Sequence, residues 1–211
     1  MLAEVLVASL DGIDHERFDL WGSHTGGLIA MEMAIAQPER FGAMILDAVP
    51  LLDPAETADI LENYLPPIVP DVHGTHLLAA WHMRRDMFLY WPWYNRKGSA
   101  VRPMSLPDVQ TFHAWTIGLL RSGTTYDRSY RAAFEYATAE RLPLLTLPTL
   151  LRSGPTDMLA DGLEQAGELG SASLEVRPTP STVWYPRQSE ADVHESLRIY
   201  REFLDRAPHV A

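Results

Sequence analysis

Residues 18–52 read FDLWGSHTGGLIAMEMAIAQPERFGAMILDAVPLL, and the succession of patterns within them decides the fold. RFDLW (17–21) has the composition of a short strand and runs directly into GSHTGG (22–27). The ten residues LIAMEMAIAQ (28–37) follow as a helix, stopped by Pro38. AMILDAV (43–49) is then a short apolar run of strand type. Strand, glycine-rich turn, helix and strand in this order make a βαβ unit, whose right-handed crossover leaves the two strands parallel.

Outward from this unit, residues 1–11 place Leu2, Val5, Leu6 and Leu10 at helical spacing, with Gly12 as the stop. From about residue 51 to 141 the pattern is helical, broken by prolines, and holds Trp81, Trp91, Trp93 and Trp115. Strand character returns at LPTLLRSG (147–154). A helix is expected over MLADGLEQAGEL (158–169), a last strand at SASLEVRP (171–178), and an amphipathic helix over EADVHESLRIYREFLDR (190–206). The expected fold is α/β: a parallel sheet of about four strands, with core segments 1–50 and 142–211 and a helical cap inserted at 51–141.

Composition narrows the function classes. With 17 Lys+Arg against 28 Asp+Glu, the formal net charge is −11, which argues against a nucleic-acid partner, because such binders need a basic face. It also disfavours anionic membranes and strongly acidic substrates. The chain has no cysteine, which excludes disulfides, thiolate metal sites and cysteine nucleophiles. No apolar run reaches the roughly 18–20 residues of a membrane span. MLAEVLVASLDGID, with Glu4 and Asp11, reads as an amphipathic helix, not as a signal peptide. The default expectation is a cytoplasmic protein.

A strand-to-helix turn as tight as GSHTGG strains its central residue and needs glycine on both sides to avoid clashes. The side chain of His24 is thereby lifted clear of the sheet, beside helix amides that can stabilise negative charge. Residues 18–52 resemble the nucleophile-elbow region of α/β hydrolases, and LPTLLRSGPTD (147–157) resembles the strand and turn that carry the acid in that family. The resemblance implies a partial α/β-hydrolase fold with Asp157 at the acid position and a cap that roofs the site. Three departures accompany it. The elbow's middle position holds His24, with Ser23 one place early. The loop STVWYPRQSEAD (181–192), where the family keeps its histidine, has none; Trp184 and Tyr185 lie nearest, and His194 falls inside the last helix. The strands and half oxyanion hole that precede the elbow in the family are not represented.

Serine–histidine–aspartate hydrolysis therefore does not follow from these residues. What does follow is an imidazole suited to general-base chemistry near neutral pH, with Asp157 orienting it and the Thr25 amide as anion donor. Ester or acyl hydrolysis of a small apolar substrate, without a cofactor, is the function that the resemblance implies. The alternatives are a non-catalytic binding protein in which His24 only fills the site, and an inactive fragment of a longer hydrolase. Asp47 is an alternative acid. Trp81, Trp91, Trp93 and Tyr185 are the candidate substrate contacts, set against plain packing for each. His73, His76 and His82 have poor spacing for a metal, so no metal site is expected. Met83-Arg84-Arg85-Asp86 reads as a solvated helix face. With no strand beyond it, FDLW becomes an exposed sheet edge, and such edges attract partners, so self-association as a homo-oligomer through this edge is expected.

Overall fold

The computed structural model describes residues 2–13, 15, 17–183, 185 and 188–207. In chain order the sheet-bearing part opens with helix α1 (Leu2–Ser9), strand β1 (Phe18–Ser23), helix α2 (Thr25–Ala36) and strand β2 (Phe41–Asp47). Helices α3 (Pro54–Asn63), α4 (Thr75–Leu89), α5 (Val109–Arg121) and α6 (Asp127–Phe134) follow. The chain then continues with α7 (Thr138–Arg141), β3 (Thr149–Arg152), α8 (Leu163–Leu169), β4 (Leu174–Val176) and α9 (Glu190–Arg206). The chain forms two compact units: residues 1–51 with 136–211, and residues 52–135.

In the first unit the four strands form a sheet in the order β1-β2-β3-β4, every neighbouring pair parallel. Position in the sheet explains strand composition. Every residue of β2 and β3 is buried, as expected of central strands covered on both faces. β1 alternates at the edge and runs through Gly22 and Ser23, two residues further than its apolar pattern. Its register with β2 shifts between Phe18 and Leu20. There the Asp19 carboxylate takes the Ala43 N–H at 2.8 Å, and Gly42 makes room for it, since a Cβ there would lie 2.6 Å from Asp19 Oδ1.

α9 presents Ser196, Ile199, Tyr200 and Phe203 inward at helical spacing. Ile199, Tyr200 and Phe203 pack with Ala43, Ile45 and Leu150 of the sheet, and Ser196 meets the Ser181 hydroxyl at 3.0 Å. The Ser189 hydroxyl caps the helix by accepting from Asp192 N–H, one of the amides that the first turn leaves without an intrahelical partner. On the other side, α2 buries Leu28, Met31 and Ala34.

α1 packs along α2 differently from its apolar spacing. Leu2, Val5 and Leu6 are 52, 62 and 44% exposed, and Val7 is the buried residue. The Arg40 guanidinium bonds Val7 O and the Asp11 carboxylate, which fixes the rotation of this terminal helix. Periodicity shows which residues share a face, not whether anything covers it.

The second unit has its own core, in which Ile60, Tyr64, Met83, Met87 and Tyr126 pack together and Trp91, Trp93 and Tyr94 lean on them. α3 is started by a reciprocal capping box between Asp53 and Glu56. The 83–86 segment is not a solvated face. Met83 is 3% and Asp86 0% exposed, because Asp86 is paired with Arg85 and Arg96, which removes the obstacle to burying its charge.

In the first unit Glu32 of α2 is held to α7 by a two-pronged bond from Arg141, at 2.7 and 2.8 Å, and by the Tyr136 hydroxyl at 2.5 Å. Burial works to raise the Glu32 carboxyl, but the bonds from Arg141 and Tyr136 outweigh it and hold it below its ordinary value. A carboxylate depressed in the folded state contributes stability above its unfolded value, and that contribution fades as pH falls through the folded one. Glu32→Gln should therefore cost about 1 kcal/mol or less at pH 7, given the partial exposure of the pair. In urea denaturation the difference from the parent should shrink as the pH falls below the ordinary glutamate range.

Candidate active site

One residue separates β1 from α2. His24 takes φ 49° and ψ −119°, a left-handed conformation that non-glycine residues adopt only when their surroundings impose it. Its N–H donates to Asp47 O at 3.0 Å, and its carbonyl accepts from the Gly27 and Leu28 amides at 2.9 and 3.3 Å. One residue thus ties the elbow to the end of β2 and starts α2. One of the flanking glycines is sterically required: a Cβ on Gly22 would lie 2.5 Å from Gly26 O and 2.7 Å from the Gly27 Cα. One on Gly27 would be a tight contact, 3.2 Å from Val49 Cγ1 and 3.3 Å from Gly22 O. A Cβ on Gly26 would meet nothing within 4 Å, so that glycine is not a packing requirement.

The His24 Nε2 atom lies 3.1 and 3.0 Å from the two carboxylate oxygens of Asp157, 133 residues later in the chain. The Asp157 side chain is fully buried and that of His24 is 23% exposed. Asp157 is oriented by its own turn: its N–H donates to Gly154 O at 3.1 Å, and its Oδ1 accepts the Leu159 N–H at 2.9 Å. Gly154 admits Thr182 so closely that a Cβ would sit 2.5 Å from the Thr182 amide nitrogen. Chemically, a carboxylate facing Nε2 favours the tautomer that donates from Nε2, which leaves the lone pair on Nδ1. Such a ring can take a proton at Nδ1 and hold the resulting charge against Asp157.

The remaining candidates divide. Thr25 is the first residue of α2, where amides lack intrahelical partners. The Ser23 Oγ atom is buried and has no hydrogen-bond partner among the described residues, so none of those residues acts on it as a base. His194 is exposed on α9. Tyr185 is buried and its N–H donates to Thr182 O, while Trp184 lies outside the described residues. Trp81, Trp91 and Trp93 belong to the second unit and pack within it. Trp81 stands edge-on to Phe112 at 4.3 Å, and Trp91 and Trp93 stand against Tyr64. Among the described residues no group of three His, Cys, Asp or Glu gathers as metal ligands; His76 Nδ1 faces Asp71 at 3.2 Å.

Arg152 was not singled out by its sequence context. It pairs with Asp47, both side chains fully buried, across the β2–β3 register that sets the two side by side. The same guanidinium donates to Thr179 Oγ1 and Ser181 O and lies 5.3 Å over the Tyr200 ring. Tyr200 in turn donates to Asp47 at 3.4 Å. Burial pushes the Asp47 carboxyl up, with Arg152 opposing that rise. The signal was an arginine in the otherwise apolar run LPTLLRSG, since a charge in a central strand must find a partner. Asp47, weighed above as an alternative acid, is occupied by this partner.

No protein-family model and no curated protein matches the sequence. Solved structures do. MGS-M2, an α/β hydrolase enzyme from a Medee basin deep-sea metagenome library, aligns with a TM-score of 0.59 at 20% identity, over 96% of this chain and 68% of that one. A hydrolase from Pseudomonas aeruginosa PA01 aligns with a TM-score of 0.62 at 18% identity, over 97 and 71%. Epoxide hydrolase I of potato (Solanum tuberosum) gives 0.62 at 17% identity, over 96 and 75%. At such identities the likeness is one of fold.

A buried ion pair loses more when one partner is removed than when both are replaced by apolar groups. Arg152→Met should destabilise the protein by about 3–5 kcal/mol in urea denaturation. The double variant Asp47→Leu/Arg152→Met should recover most of that loss.

Proposed function

We propose, from the partial α/β-hydrolase fold that this chain carries, that it is a hydrolase of small apolar esters in which His24 is the catalytic base. The observation that supports this reading most is the imidazole at the elbow, with Nε2 3.0 Å from a fully buried Asp157 carboxylate. In the proposed reaction Nδ1 takes a proton from water while the water oxygen attacks the acyl carbon. The amide of Thr25, at the positive end of α2, stabilises the developing oxyanion. The tetrahedral intermediate then expels the alkoxide, which recovers the proton from the imidazolium, and the products are a carboxylic acid and an alcohol. Asp157 holds the ring and balances its charge when protonated. The net charge of −11 favours uncharged over anionic substrates.

One observation favours a second reading, that of a binding protein without turnover: the hydroxyl beside the elbow, Ser23 Oγ, has no partner among the described residues. Among the described residues no activated hydroxyl nucleophile accompanies the imidazole.

Turnover of p-nitrophenyl butyrate separates the two. Loss of a general base costs typically 10²–10⁴-fold, so His24→Ala should lower kcat/KM by roughly that factor with the circular dichroism spectrum unchanged. Asp157→Asn should act in the same direction. Unchanged turnover in His24→Ala removes the catalytic role. A parent protein that is stabilised by small apolar esters but never cleaves them establishes the binding reading.

A further inference from the structure

The second unit contains a cavity of about 280 Å³. Its wall is mainly apolar, formed by Pro66, Pro67, Ile68, Met83 and Trp93; among the described residues that line it, His82 and Arg96 are polar and none is acidic. The wall is preset. Two successive prolines have fixed φ, the carbonyl of Pro66 accepts the Tyr126 hydroxyl, and the Trp93 indole is held by its N–H bond to Tyr64 O at 2.9 Å.

Behind this wall the charges do not cancel. Asp86, fully buried, faces two guanidiniums: Arg85 on Oδ1 at 2.7 Å and Arg96 on Oδ2 at 2.7 Å. One carboxylate balances one of them, so the three groups together carry a surplus positive charge. Arg96 spends Nε and one proton of its NH2 group on Asp86. Its end-on fork, one N–H from each terminal nitrogen, is turned away from that bond, and its side chain is 59% exposed. A planar fork of this kind matches a carboxylate with two parallel hydrogen bonds.

We propose that this cavity binds a small monocarboxylate with an apolar body, its chain against Ile68, Met83 and Trp93 and its carboxylate on Arg96. The volume lies just below the usual range for ligand pockets, which limits the body to about the size of a phenylalkyl group. The proposal is independent of any chemistry at His24.

Isothermal titration with 4-phenylbutyrate, and with the uncharged 4-phenylbutan-1-ol as its control, tests it. The acid should bind at least about tenfold more tightly than the alcohol, the weight of one charge-assisted bond. Arg96→Met should remove that preference while leaving the alcohol's affinity unchanged. Ala79, exposed on α4 and part of the lining, offers a second variant that leaves the buried charges in place: Ala79→Phe should fill the cavity and abolish binding of both probes, with an unchanged melting temperature. Equal affinity for acid and alcohol, full binding by Ala79→Phe, or no binding of either probe to the parent protein would overturn the proposal.

Discussion

The closest backbone approach at the elbow is the constraint on which its geometry depends. The path of the chain past Gly22 leaves no room for a side chain, because Gly26 O and the Gly27 Cα occupy the space a Cβ would need. That contact lets β1 pass into α2 through a single residue, and the single residue is forced into a left-handed conformation. The helix dipole, the end of β2 and the imidazole converge as a result. A longer connection would relax His24 and separate these groups.

Buried charge is the second organising theme. Asp47, Arg152 and the carboxylate of Asp86 are each removed from water, and isolated charges in such places would cost several kcal/mol apiece. The two clusters are solved differently. Arg152 satisfies a carboxylate, a hydroxyl and a carbonyl, and so joins β2, β3, the segment near residue 180 and α9 into one block. Asp86 is over-supplied with cations, and the excess faces outward through Arg96.

The architecture was legible because its signals are local. Glycine-rich turn, apolar helix and apolar strand follow one another within 18–52, and α9 carries both its inward stripe and its serine cap. What was not legible depended on partners distant in sequence. The continuation of β1 through Gly22 and Ser23 looked like turn, since glycine in a strand is explained only by the helix that crowds it. The apolar face of α1 with Leu2, Val5 and Leu6 was visible as a face, but nothing in the pattern told what, if anything, covers it. Arg152 and Asp86 looked unremarkable or solvated, because nothing in a linear pattern announces a counter-ion in another element. The encounter of His24 with Asp157 is likewise invisible to periodicity and was approached only through likeness to a known fold. The tryptophans were visible as a group, but what each one touches was not.

The left-handed turn at position 24 has one more consequence. The protrusion of that side chain is set by φ and ψ, not by what the side chain is, since the bonds to Asp47, Gly27 and Leu28 use main-chain atoms that every residue except proline carries. The elbow is therefore a fitting whose occupant can be exchanged without rebuilding the sheet or the helix behind it. The scaffold supplies location, a nearby carboxylate and a dipole, and a single codon decides which side chain they surround.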